Sequence, residues 1–277
     1  MDLVRARRAE PDRYLAALLA PAGVQTPLLA LTAFVADVAT IPERVSQPLL
    51  GEMRLQWWRD CLAGLPQGSA AGHPVAEELA RHVAAGTISV KDLLRIVDAR
   101  SHDLTGEFHP DADALARHLG ASEGLPFALA ARLAGDEPWP DALIEAAGLA
   151  YGLARGFLRL GRLLWTGGAP ITASALQAAG LDSAHLRQQP APEHVAASVE
   201  AMAQEARAVA LRALASARAG LRERGRAART GALPLVLVEP YFAAQQRLGP
   251  NRLSAETDLL PLARAWRLAW AALSGRI

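Results

Sequence analysis

The expected fold for this 277-residue chain is all-α, and three observations lead to it. Ala, Leu and Arg dominate the composition, and all three are strong helix formers. Apolar runs are punctuated by Pro and Gly at intervals that suit helices. Nothing alternates apolar and polar residues as a half-buried strand does. With 51% hydrophobic residues the chain can bury a large core, and no composition shift forces a boundary within 1–277, so one helical domain is expected.

Each helix has a start or stop signal. Asp12 ahead of RYLAALLA reads as the cap of a first helix, which Pro21 and Gly23 stop. Pro27 opens a second helix running through Phe34 toward Thr40. Pro42 and the SQP at 46–48 break the pattern, and a third helix follows over 50–62. The stretch GLPQGSAAGHP, 64–74, is a loop by composition. Helices over 75–84 and 89–104 come next, Ser89 standing three residues before Asp92 as a cap. After a break at 106–110, helices are expected over 112–119 and 125–134. The turn at 135–140 leads to Asp141, which caps a long helix from 142 to about Trp165. A loop at Gly167 and Gly168 precedes a short helix over 172–180. A long amphipathic helix over 192–229 and two more over 231–248 and 259–273 complete the series. Gly148, Gly152 and Gly156 recur one turn apart and leave a groove, into which either a neighbouring helix or a ligand can come close.

Composition also narrows function. A net charge of +1 argues against a dedicated nucleic-acid binder. The single cysteine, Cys61, excludes an internal disulfide framework and fits a reducing compartment. The amino-terminal MDLVRARRAEPDRY has no signal-like apolar run behind it, and no segment offers about 20 uninterrupted apolar residues, so a cytoplasmic protein, at most peripheral at the inner membrane, is expected. The seven histidines show neither HxxxH nor HExxH, so no zinc site is expected. The acid pairs four apart, Asp103/Glu107, Glu107/Asp111, Glu137/Asp141 and Asp141/Glu145, read as capping or solvated groups. Arg264, Trp266, Arg267 and Trp270 mix cationic and aromatic groups on one helix, a pattern suited to an anionic membrane surface or to a solvated helix with one buried face.

Residues 32–43, TAFVADVATIPE, followed by MRLQWWRD at 53–60, resemble the squalene/phytoene synthase family. There a helix of the type Tyr-Ala-Phe-x-Arg-x-x-Asp-Asp-x-x-Asp precedes an Arg-x-x-Trp-type helix. Thr32, Ala33 and Phe34 keep the frame, but Ala36 stands at the arginine, Ala39 and Thr40 at the paired aspartates, and only Glu43 keeps an acid. The second family motif, roughly Gly-x-x-x-Gln-x-x-Asn-x-x-Arg-Asp, falls on residues 148–159. Gly148 fits, with Tyr151 beside it, but Gly152, Arg155 and Arg159 replace glutamine, asparagine and the metal-binding aspartate. Ionising an allylic diphosphate requires Mg2+ held by acids on one helix face, and alanine, threonine and arginine cannot hold it.

The resemblance implies an isoprenoid synthase-like helical bundle around a central cavity. It offers Phe34, Arg54, Trp57, Tyr151, Gly152, Arg155 and Arg159 as cavity or ligand-binding candidates, with Arg54 buried beside the indoles of Trp57 and Trp58. SQPLLGEMRLQWWRD, HPVAEEL and LLRIVDARSHDL look most like the branch containing the complex I assembly factors, which lacks the aspartate motifs. Likeness to that branch implies a non-catalytic role in assembling respiratory complex I, the NADH dehydrogenase, or in binding a lipid or protein partner. Its implied partners are a complex I subunit or assembly intermediate and a prenyl lipid or phospholipid in the cavity, with no cofactor. The alternative is an active prenyltransferase joining two prenyl diphosphates head-to-head to phytoene or squalene, for which Mg2+ would be required.

Overall fold

Proline and small polar caps set most helix starts in the computed structural model, which describes residues 2–67, 72–166, 168–188, 190–248, 253 and 257–277. Among the described residues there is no strand, and one parallel bridge pairs His109 with Thr172. The all-α expectation therefore holds. Residues 68–71 of the expected 64–74 loop lie outside the described residues, as does Gly167 of the loop at 167–168.

The amino-terminal region differs from the sequence reading in an informative way. A helix α1 (Leu3–Ala9), capped by the Asp2 side chain accepting from Arg5 N–H, precedes α2 (Pro11–Leu19). Glu10 occupies the cap position of α2, and Asp12 lies within the first turn with its carboxylate buried. Next, α3 (Ala22–Ala39) begins before Pro27, which it carries inside. Proline is tolerated there because the bond it forfeits would end on the carbonyl of exposed Gly23, which water can satisfy. At 18 residues and mean hydropathy 1.4, α3 is long and apolar enough to cross a membrane, although Gln25, Thr32 and Asp37 interrupt its apolar run, and Leu28, Leu31, Phe34, Val35 and Val38 on it are buried in the core.

The next three helices fall close to their expected places: α4 (Pro48–Gly64), α5 (Pro74–Ala84) and α6 (Val90–Asp103). Ser89 caps α6, its Oγ accepting Asp92 N–H at 3.1 Å. Then α7 (Ala112–Leu119) runs through a π-helical turn, Gly120–Gly124, into α8 (Leu125–Leu133). The expected long helix to Trp165 is two, α9 (Asp141–Leu158) and α10 (Leu160–Thr166), broken where Arg159 leaves helical geometry. Its cap is Pro140 rather than Asp141, since the proline enters in extended geometry. Two short helices, α11 (Ala173–Ala178) and α12 (Ser183–Arg187), lead to α13 (Glu193–Arg222). The expected 192–229 helix stops at Glu223 and restarts as α14 (Arg226–Ala232); α15 (Val238–Gln246) and α16 (Pro261–Ser274) follow.

At the centre, α9 packs on α13, on α15 and on the π turn. Its glycines allow this. A Cβ on Gly148 would lie 2.3 Å from the Leu119 carbonyl oxygen, and one on Gly152 2.6 Å from Leu119 Cδ2. At both positions close packing wins over a ligand groove.

Candidate functional site

The π turn widens the backbone between α7 and α8 and carries Glu123 into the space between α3 and α9. That space is a cavity of about 80 Å³, reached by Glu10 from the α1–α2 junction, Ala39 of α3, Arg100 and Asp103 of α6, and Gly152 and Arg155 of α9. Its walls are a closed set of ion pairs. Arg155 Nη1 lies 2.8 Å from both carboxylate oxygens of Glu10. Arg13 bridges Glu10 at 3.1 Å and Glu123 at 2.7 Å. Arg100 reaches Glu123 at 3.0 Å and Asp103 at 3.2 Å. Three guanidinium groups thus meet three carboxylates, and the buried charge cancels. Burial alone would raise the Glu123 carboxyl, but Arg100, Arg13 and Arg155 outweigh it and hold the group at about 2. Asp103, expected to be solvated, is buried here and also meets His118 Nε2 at 3.3 Å.

The positions matching the family's metal acids do not fit a Mg2+–diphosphate site. Ala39 offers no ligand, and the Thr40 hydroxyl donates back to the Ala36 carbonyl at 2.8 Å. Arg159 is turned to Glu43 at 3.0 Å, and Arg162 reaches the same oxygen at 3.3 Å, so the one acid kept from the first motif is already neutralised. Among the described residues no three His, Cys, Asp or Glu side chains converge to hold a metal. A cavity of about 80 Å³ is also small beside the roughly 300 Å³ of an ordinary small-molecule site, so the expected prenyl lipid or phospholipid has no room unless the helices part.

A second buried cluster adjoins the first. Asp12 accepts the hydroxyls of Tyr151, at 2.7 Å, and of Tyr241, and pairs with Arg264 Nε at 2.7 Å. Burial, and then the Asp12 charge, push both phenols well above their usual range, so they donate as neutral hydroxyls. Arg264, expected at a membrane, is instead an internal counter-ion that ties α16 to α2. Trp266, Arg267 and Trp270 remain on the outside of α16.

Other candidates fall elsewhere. Phe34 is fully buried but points into the core, edge-on to Trp58 with ring centroids 5.0 Å apart. Arg54 and Trp57 are exposed on α4 and do not line the cavity, because its buried face carries Gly51, Leu55 and Trp58. The arginine that anchors α4 is Arg59, bonded to Asp98 at 2.7 Å, Glu52 at 2.6 Å and the Ser101 hydroxyl at 2.7 Å. Of the seven cavity candidates, Gly152, Arg155 and Arg159 come together at the cavity. Sequence reasoning missed Glu10, Arg13, Arg100 and Glu123; the available signal was a lone acid, Glu123, in the apolar run LGASEGLPFALA. It also missed a contact of His102, His109 and His118, with His102 and His109 stacked at 3.9 Å and His109 and His118 at 4.5 Å. Burial, then the neighbouring imidazoles, lower His109 to about 4.

The squalene/phytoene synthase family model matches residues 6–270. Complex I assembly factor 6 of Rattus norvegicus is 35% identical over 98 residues, covering 35% of this chain and 29% of that protein. The Homo sapiens protein of the same name is 32% identical over 98 residues, with the same shares of 35% and 29%. The matched stretch thus spans under a third of these relatives' length. Among solved structures, squalene synthase HpnC from Alicyclobacillus acidocaldarius superposes with a TM-score of 0.72 at 17% identity, covering 89% of this chain and 92% of that one. A dehydrosqualene synthase solved with ligand gives 0.76 at 14% identity, covering 99% and 94%. At these identities the structural likeness speaks to the fold alone, and the bundle is the one expected.

Proposed function

The chain belongs to the squalene/phytoene synthase family, and from that premise we propose that it is a non-catalytic member acting in the assembly of respiratory complex I. The observation that carries the proposal is that guanidinium groups stand in the second motif, Arg159 at its metal-binding aspartate and Arg155 at its asparagine, and that both are already committed to carboxylates, Arg159 to Glu43 and Arg155 to Glu10. Such a site has no free oxygen ligands for Mg2+ and no means to neutralise a departing diphosphate. The relatives named as complex I assembly factors support the direction of the reading. In this reading the protein is cytoplasmic, works at the inner face of an energy-transducing membrane, and acts through its surface. Its partner contact is the exposed stripe Leu49, Met53 and Trp57 on α4, spaced four residues apart beside charges of both signs, Arg54 and Asp60.

The test has two arms. Deleting the gene in its own cell should lower the amount of assembled, NADH-oxidising complex and leave C30 and C40 isoprenoids unchanged. Pure protein given farnesyl or geranylgeranyl diphosphate and Mg2+ should release no diphosphate. Mg2+-dependent squalene or phytoene formation, or loss of an isoprenoid with normal NADH oxidation, would establish the prenyltransferase instead.

A further inference from the structure

Helix α16 is apolar on two opposite faces. Inward, Leu268 and Ala271 are buried beside the ion-paired Arg264. Outward, Leu262, Trp266, Trp270 and Leu273 follow at spacings of four, four and three and form one stripe, exposed at 85%, 69%, 61% and 86%. The two indoles lie nearly parallel, 21° apart with centroids 6.3 Å apart, as neighbours along the stripe. A surface helix ordinarily turns polar residues to water, so an outer apolar stripe of about 17 Å calls for a covering partner.

The surroundings identify its chemistry. The helix contains no carboxylate, and the chain's own clefts flank the stripe with cations. On one side a cleft of about 490 Å³ beside Trp266 and Trp270 is lined by Arg218, Arg267 and Arg276 and by no acidic side chain. On the other a cleft of about 300 Å³ beside Leu273 carries Arg226 and Arg229, again with no acidic side chain. Of these, Arg218 is already paired with Glu239 at 3.1 Å, while Arg267 and Arg276 stand exposed. Apolar and indole groups in a line, with guanidinium groups on both flanks, match acyl chains bordered by phosphate headgroups. Tryptophan favours that boundary, and arginine favours the phosphates.

We propose that the outer face of α16 docks on the surface of an anionic bilayer, lying in its plane with Leu262, Trp266, Trp270 and Leu273 below the headgroups and Arg267 and Arg276 among them. This docking depends on α16 alone and is independent of the complex I reading. It also separates this face from the α4 stripe, whose neighbouring charges are of both signs.

Full-length protein should be floated with vesicles of phosphatidylcholine alone and of phosphatidylcholine mixed with phosphatidylglycerol. Binding to the mixed vesicles should be at least about tenfold tighter, as two or three arginines at a charged surface supply, and should weaken as salt rises. Trp266→Ala/Trp270→Ala should lose at least about tenfold in binding with an unchanged melting temperature, since both side chains lie outside the fold. Arg267→Glu should erase the preference for the anionic vesicles. Equal binding to both vesicle types, or full binding by the double tryptophan variant, would overturn the proposal. So would a lipid-free dimer that the same variant abolishes, because a second copy of the chain would then be the occupant.

Discussion

Arg155 and Glu10, 145 positions apart in the chain, meet with one guanidinium nitrogen 2.8 Å from each carboxylate oxygen. The pair joins α9 to the junction of α1 and α2, with both side chains largely buried. A second guanidinium nitrogen donates to the Ala9 carbonyl, which fixes the orientation of the fork.

Removing one partner should therefore cost more than removing both. Arg155→Met leaves Glu10 buried with Arg13 as its remaining counter-ion, and a loss of about 3–5 kcal/mol is expected. Glu10→Gln/Arg155→Met removes both charges and should recover a large part of that loss. Urea unfolding of the wild type, the two single variants and the double variant measures the coupling; strictly additive losses would mean that the pair does not act as a unit.

Acid should unfold the protein through two separate windows. His109 is depressed from 6.5 to about 4, so between those values the unfolded chain takes up the proton first and stability falls as pH falls. Facing it are His102, His118 and Asp103, the first two opposing a further positive charge and the last favouring it. Glu123 is depressed from 4.5 to about 2, so its contribution is complete above about 4.5 and is lost as pH falls toward 2. His109→Gln should lessen the fall in melting temperature across the upper window, part of which remains because burial lowers His118 as well, and should leave the lower window in place. An unchanged profile above pH 4.5 would remove His109 from the account.

Adjacent tryptophans on α4 should behave oppositely. Trp58 is buried against Phe34, and Trp58→Ala should cost about 3–5 kcal/mol. Trp57 is 42% exposed, and Trp57→Ala should cost about 1 kcal/mol or less. Under the proposed function Trp57→Ala and Met53→Glu should nevertheless fail to restore complex I in a deletion strain. Thermal unfolding paired with NADH oxidation by membranes separates the two effects, and full rescue by both variants would move the partner contact off α4.

The helices were largely legible because their signals are local. Ser89 beside Asp92 needs no knowledge of the rest of the chain, and Pro48, read as a breaker, lies only two residues from the expected start of α4 and opens it. Legibility ends where tertiary demand overrides such signals: Asp12 has the form of a cap but is drawn inward by Tyr151, Tyr241 and Arg264, two of them more than 200 positions away. Gly152, Arg155 and Arg159, placed together by motif spacing, line one cavity, but the partners of Arg155 come from elements with no motif at all. Arg54 was misplaced because a family frame says which helix a residue is on, while the face it occupies depends on where that helix packs.

The charge balance around the central cavity also bears on how such a chain can change over generations. A step back toward the family's asparagine at Arg155 leaves Glu10 short of a counter-ion, at about 3–5 kcal/mol, a large share of the roughly 5–15 kcal/mol that holds an ordinary domain together. Restoring an aspartate at Ala39 would place a carboxylate beside Arg159 and Arg162, two guanidinium groups that share the single carboxylate of Glu43, so the new acid would be paired by an arginine before it could face a metal. The first reversion is penalised and the second is captured by an arginine, so neither alone restores a metal site. The arginines thus act as a ratchet: with Arg155 held by Glu10 and Arg159 by Glu43, a return to catalysis requires several substitutions at once.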